Sequence, residues 1–295
     1  MTDPLFVGVD AGGTKTAALA EAGARRETFS GPGAQAARDG AAAAAAALAD
    51  VIAWARDAFP DVPLAGVAVG LAGAGRPDVC TAIADALGLD APLVVTHDAD
   101  IAYRAAWGDE GGAVLLVGTG SLVLARTDAG ETLRAGGWGP ALGDDGSGAA
   151  LGRHALRALL AALDGGPPSA LPAIAAEHHG LATSADVVAA VYDDARPLST
   201  FAPLLLAAVE AGDWAAETAL RAETNALAKQ AGWLATRAGD TVRTRLAVSG
   251  GLAGEPVYWT ALADALARHL PGWAVSKCEA EPVEGALALA RTLAD

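Results

Sequence analysis

The chain has 295 residues, 53% of them hydrophobic, and a formal net charge of −15. That acidic balance, without a basic stripe, argues against nucleic acid and anionic membrane surfaces as partners. No charge-free run of about 18 apolar residues marks a membrane span. The two cysteines, Cys80 and Cys278, stand far apart without metal-site spacing, which argues for a reducing cytoplasmic setting and against a disulfide framework or a zinc site.

Leu5–Asp10 reads as a short apolar strand, without the basic start and long apolar run of a secretory signal. It leads into Asp10-Ala11-Gly12-Gly13-Thr14-Lys15-Thr16. Gly12 and Gly13 lack Cβ atoms, so backbone N–H groups can approach phosphate oxygens. Thr14 and Thr16 add hydroxyl donors, and Asp10 at the strand end suits a magnesium ion held through water. Neither the P-loop nor the dinucleotide fingerprint is present. The plainer alternative is a hairpin turn.

A helix follows from Asp39, its candidate cap, through an alanine tract to Phe59, where Pro60 stops it. Leu48, Val51, Ile52, Ala55 and Phe59 share its core face. Strands at Leu64–Leu71 and Leu93–Thr96 flank a helix at Pro77–Leu87. The second strand ends in Thr96-His97-Asp98-Ala99-Asp100, where a carboxylate can take a proton from an attacking hydroxyl. Asp98 is the choice for this base. Asp100 fits better as a first-turn acid of a helix over Asp100–Trp107, and His97 qualifies on proton affinity alone. The alternative for Asp98 is a helix cap.

Gly108-Asp109-Glu110-Gly111-Gly112 is a polar, glycine-rich joint. Beyond it, strands at Ala113–Val117 and Leu122–Arg126 flank a second glycine-hydroxyl turn, Gly118-Thr119-Gly120-Ser121, again with a hairpin as the alternative. A long glycine-rich segment follows, Gly136 to Gly148. In it Trp138 offers a flat face for a sugar ring, and Asp144 offers an acceptor for sugar hydroxyls. The alternatives are a Trp138 packed on the core and an Asp145 at a helix N-terminus. Helices are expected at Gly148–Leu163, Ser184–Tyr192, Trp214–Arg237, Pro256–His269 and Val283–Leu293. A strand at Leu246–Ser249 closes on Gly250 and Gly251, which would let an adenine or a phosphate lie against the backbone. Strands alternating with helices give an α/β fold, with lobes at residues 1–108 and 109–281.

Together these segments resemble the N-acetylglucosamine kinase and BadF/BadG/BcrA/BcrD ATPase family over nearly the whole chain. The resemblance implies the two-lobed actin- and hexokinase-like ATPase fold of duplicated ribonuclease H-like domains, with residues 282–295 returning to the first lobe through Gly285-Ala286. It implies ATP contacts at Gly12, Gly13, Thr14, Lys15, Thr16, Gly118, Thr119, Gly120, Gly212, Gly250 and Gly251, and Mg2+ at Asp10. Asp98 would take the proton of a sugar 6-hydroxyl, and Gly137, Trp138, Gly139 and Asp144 would touch the sugar. Gln35 stands where the family often places a sugar-contacting asparagine after the glycine-proline turn and would contact the sugar in its place, and His97 replaces an asparagine before Asp98.

The activity implied is ATP-dependent phosphorylation of N-acetylglucosamine or glucosamine, in a cytoplasmic homodimer whose alanine-rich second lobe is the candidate interface. The alternative is an ATP-hydrolysing activator of a partner enzyme. That would need paired cysteines for an iron–sulfur cluster, a pattern Cys80 alone does not offer.

Overall fold

The computed structural model describes residues 3–34 and 40–294. The chain divides into two compact units, Met1–Glu110 with Cys278–Asp295, and Gly111–Lys277.

The first unit is built on a five-stranded sheet in the order β3-β2-β1-β4-β5. Strands β1 (Leu5–Ala11), β2 (Lys15–Ala22) and β3 (Arg25–Pro32) are antiparallel neighbours, and β4 (Leu64–Leu71) and β5 (Leu93–His97) continue parallel to β1. Leu5, Val7, Val9 and Ala11 point to one face, as period-two alternation requires. That face packs on helix α1 (Ala41–Ala58), which buries Ala44, Ala45, Leu48, Val51, Ile52 and Ala55. The small residues of the alanine tract serve helix propensity and close packing. Gly40 is the residue before α1; Asp39, expected as its cap, lies outside the described residues. Helices α2 (Pro77–Leu87) and α3 (Asp98–Trp107) complete this part of the chain.

The second unit repeats the design. Strands β6 (Gly112–Val117), β7 (Ser121–Arg126) and β8 (Thr132–Gly136) are antiparallel, and β9 (Arg245–Ser249) and β10 (Ala274–Lys277) run parallel to β6. The order is β10-β9-β6-β7-β8, which matches the first sheet strand for strand. Helices α4 (Gly148–Leu163), α5 (Leu171–His179), α6 (Ser184–Val188), α7 (Ala202–Glu210), α8 (Trp214–Ala238) and α9 (Pro256–His269) supply a large core around Leu151, Leu159, Phe201, Leu227 and Tyr258.

Helix α10 (Pro282–Arg291) returns to the first unit and covers the other face of its sheet. Glycines make that approach possible. A Cβ at Gly8 would fall 2.6 Å from Leu287 Cα, and one at Gly285 would fall 2.6 Å from the Ala105 amide of α3. Leu287, Val283 and Leu19 then form a small core with Phe6 and Ala17.

Six elements were not expected from the sequence: β2, β3, β8, β10, α5 and α7. In β2, Lys-Thr-Ala-Ala-Leu-Ala-Glu-Ala has helical preferences that pairing with β1 overrides. Strand β3 is an edge strand with charged, exposed Arg25 and Arg26, which hides its period. The helix expected over Ser184–Tyr192 is α6 followed by a wider π turn over Ala189–Asp193. The helix expected from Asp100 begins at Asp98.

Candidate active site

In the first unit, Gly12, Gly13 and Thr14 join β1 to β2, with the Gly12 N–H donating to the Lys15 carbonyl at 2.9 Å. Thr14 and Lys15 stand exposed at the tip. Thr16 is buried, and its hydroxyl donates to the Pro32 carbonyl at 2.8 Å. The donor expected for phosphate is thus engaged in holding β3 to the turn. Gly33 lies against the same turn: a Cβ there would sit 2.6 Å from the Thr14 amide nitrogen.

Asp10 lies near the end of β1. Burial, then the charges of Asp98 and Glu281, push its carboxyl up to about 7 against the opposing charge of Lys15. Two neighbouring acids therefore act on Asp10 near the end of β1. A hard divalent cation would relieve that repulsion, and carboxylate oxygens are its natural donors. Among the described residues no three His, Cys, Asp or Glu side chains are grouped to cage a metal ion. Asp10 could contribute one carboxylate to such an ion.

Asp98 opens α3, and His97 precedes it as the N-terminal cap. The Ala99 amide donates to His97 Nδ1 at 3.1 Å and to Asp98 Oδ1 at 2.9 Å. Asp98 Oδ2 has no hydrogen-bond partner among the described residues, and the side chain is 29% exposed. Capping and proton acceptance are thus compatible: one oxygen is held and the other is presented. Asp100 accepts the Thr96 hydroxyl at 2.6 Å.

In the second unit, Gly118, Thr119 and Gly120 join β6 to β7, the same position in the second sheet that the first turn holds in the first. Both glycine turns are hairpins, the geometry the plainer alternative named, and a hairpin of this kind is compatible with backbone N–H groups facing a phosphate. The start of α4 hangs from the second turn: Gly148 N–H donates to the Gly118 carbonyl at 2.8 Å, and Ala149 N–H to the Thr119 carbonyl at 3.1 Å. Gly250, with φ +112°, lies against the Val117 backbone, so Ser249-Gly250-Gly251 adjoins this hairpin. Gly212, at φ +79°, turns the chain between α7 and α8; no described hydrogen bond joins it to the hairpin.

The segment Gly136–Gly148 leaves β8 with Gly136, Gly137 and Gly139 at φ +73°, +70° and +84°. Side chains rarely adopt this conformation, which accounts for the glycines. Trp138 is 67% exposed, so it is no core anchor; Arg134 stacks on its ring at 5.0 Å and donates to the Gly136 and Gly137 carbonyls. Asp144 turns inward. It is 7% exposed at φ +60° and accepts the Gly139 N–H at 3.1 Å, and burial pushes its carboxyl up. A Cβ on Gly120 would come within 2.9 Å of Asp144 Oδ2, so this acid packs the loop against the Gly118–Gly120 hairpin. Asp145 is not the helix acid: Gln230 donates to its carboxylate at 2.5 Å, and Ser147 caps α4 by accepting the Ala150 N–H. Gln35 lies outside the described residues.

The sequence reading missed Glu281, Glu223, Gln230 and Tyr258. A signal existed for two of them: Glu223 and Gln230 share the buried face of α8 with Leu220, Leu227 and Leu234. Polar residues on an apolar helical stripe call for partners.

A Clostridium acetobutylicum N-acetylmuramic acid/N-acetylglucosamine kinase is 36% identical over 101 residues, a match that spans 33% of each chain. A Dictyostelium discoideum N-acetyl-D-glucosamine kinase is 29% identical over 250 residues, 77% of this chain and 78% of that one. Among solved structures, a Chromobacterium violaceum protein provisionally designated an N-acetylglucosamine kinase superposes with a TM-score of 0.77 at 24% identity, covering 99% of both chains, and shares the fold. The model of the BadF/BadG/BcrA/BcrD ATPase family matches residues 7–290, and the chain belongs to that family.

Proposed function

We propose that the chain is an ATP-dependent amino-sugar kinase that phosphorylates N-acetylglucosamine or glucosamine at the 6-hydroxyl. The observation that carries the reading is the repetition of one hairpin at one position in two sheets of identical strand order, joined in the first unit by Asp98, whose second carboxylate oxygen makes no hydrogen bond among the described residues. The kinase names of the two sequence relatives support it. Gly12–Lys15 and Gly118–Gly120 present backbone N–H groups suited to phosphate oxygens. Gly250 and Gly251 offer a flat backbone for the nucleoside. A magnesium ion at Asp10 would neutralise phosphate charge. Asp98 takes the proton of the sugar hydroxyl as its oxygen bonds the γ-phosphorus and the bond to ADP breaks. Trp138 receives the sugar ring and Gly137 and Gly139 its hydroxyls, with Asp144 shaping that loop from within.

The reading places the protein in the cytoplasm, where ATP is made available; no helix among the described residues is long and apolar enough to cross a membrane. It includes a homodimer formed through the second unit. The large apolar side chains exposed among the described residues, including Tyr192, Trp214 and Trp233, all belong to that unit. Light scattering should return twice the 29.1 kDa chain mass.

The test is ADP release with Mg-ATP and a panel of N-acetylglucosamine, glucosamine, N-acetylmannosamine, N-acetylmuramic acid and glucose. An amino sugar should accelerate release strongly. Equal rates with and without every sugar would end the proposal.

A further inference from the structure

The glycine-rich loop is fastened at Gly146 from both sides of the peptide chain. Its N–H donates to Glu223 Oε2 at 2.8 Å in a buried bond, and its carbonyl accepts the Tyr258 hydroxyl at 2.7 Å. The other oxygen of Glu223 faces His154 Nε2 at 2.8 Å. Burial tends to raise the Glu223 carboxyl, but the bonds from His154 and Gly146 outweigh it and hold the group below the usual carboxylate range. Burial, and then the Glu223 charge, push the Tyr258 hydroxyl upward, so it remains a donor.

A buried anion on the apolar face of α8 is costly as a packing choice, because leucine would suit that face better. What it supplies is a fixed acceptor. Gly146 stands at φ +72° against Leu227, so the peptide cannot shift toward the helix. Asp145 and Asp144, the preceding residues, are tied in turn to Gln230 and to the Gly139 amide. Fixing Gly146 thereby fixes the register of the loop back to Trp138.

We infer that Glu223, oriented by His154, is a positioning residue that keeps the Gly137–Asp144 loop in its sugar-receiving shape before the sugar arrives. This rests on the amino-sugar kinase reading. Pre-ordering a loop removes an entropic cost from binding, so the effect belongs in sugar affinity and not in nucleotide affinity.

The test pairs hydrogen exchange with kinetics. Glu223→Gln retains an acceptor for Gly146 and places an amide N–H toward His154, whose neutral ring can accept it in the other tautomer. Glu223→Leu retains bulk and loses both, and His154→Phe serves where Glu223→Leu does not fold. In Glu223→Leu the amides of residues 137–147 should exchange at least tenfold faster while those of β1 and β2 are unchanged. The sugar KM should rise about tenfold with the ATP KM within twofold, and Glu223→Gln should recover most of both. Unchanged loop exchange overturns the clamp, whatever the chain phosphorylates. Faster loop exchange with an unchanged sugar KM, or with sugar and ATP KM rising together, overturns its link to the sugar. Faster exchange in a chain whose parent turns over no sugar overturns the kinase reading and leaves the clamp standing.

Discussion

His97 Nδ1 lies 2.5 Å from Asp98 Oδ1, and the two atoms share the Ala99 amide. The histidine therefore performs at this strand end the capping work that a short amide side chain can also perform. His97→Asn should fold and keep kcat within about tenfold, since the cap survives. Asp98→Asn removes the proton acceptor and should lower kcat by roughly 10²- to 10⁴-fold with ATP binding intact. Steady-state kinetics with nucleotide titration check both.

The raised Asp10 carboxyl makes metal-free stability depend on pH. The folded chain holds a proton that the unfolded chain, at its ordinary value of 3.8, releases earlier, while the folded value is about 7. Stability from this group is therefore full at low pH and is lost as pH rises through about 7. With EDTA present, the unfolding free energy from urea titrations should fall by about 4 kcal/mol between the unfolded and folded values, and Asp10→Asn should remove that component of the slope. A cation that binds the carboxylate form should reverse the trend when added.

Gly285→Ala should destabilise the chain by about 3 kcal/mol, because the new methyl meets the α3 backbone and a backbone cannot rotate aside. Urea denaturation gives the value. An effect under about 0.5 kcal/mol would mean that α10 sits farther from α3 than described.

Trp138→Ala should leave stability within about 0.5 kcal/mol, since the ring is mostly in solvent. Sugar KM should rise at least fivefold, and Trp138→Phe should restore part of it. A melting shift of several degrees without a kinetic effect would assign the ring to folding.

The sequence was most legible where one chemistry dominated a short stretch. The apolar runs of β1, β4 and β6 and the glycine turns after β1 and β6 are local features, and the structure has them at matching points of two sheets. Strands β2 and β3 were illegible because alanines and edge charges carry no two-residue period of their own; their neighbours impose it. At the candidate site, Asp98 could be read from its place after a strand. Glu281 could not, because its influence on Asp10 is created only when α10 returns to the first sheet. Trp138 and Asp144 were legible as residue types but not in orientation. The aromatic faces solvent, and the acid faces its own loop.

The return of α10 has a consequence for synthesis. Strands β1 and β2 are synthesised long before α10, so Phe6, Ala17 and Leu19 wait for Val283 and Leu287. Until α10 is made, the β1–β2 hairpin has one oily flank uncovered, a period in which stalled chains would be prone to stick to one another and to chaperones.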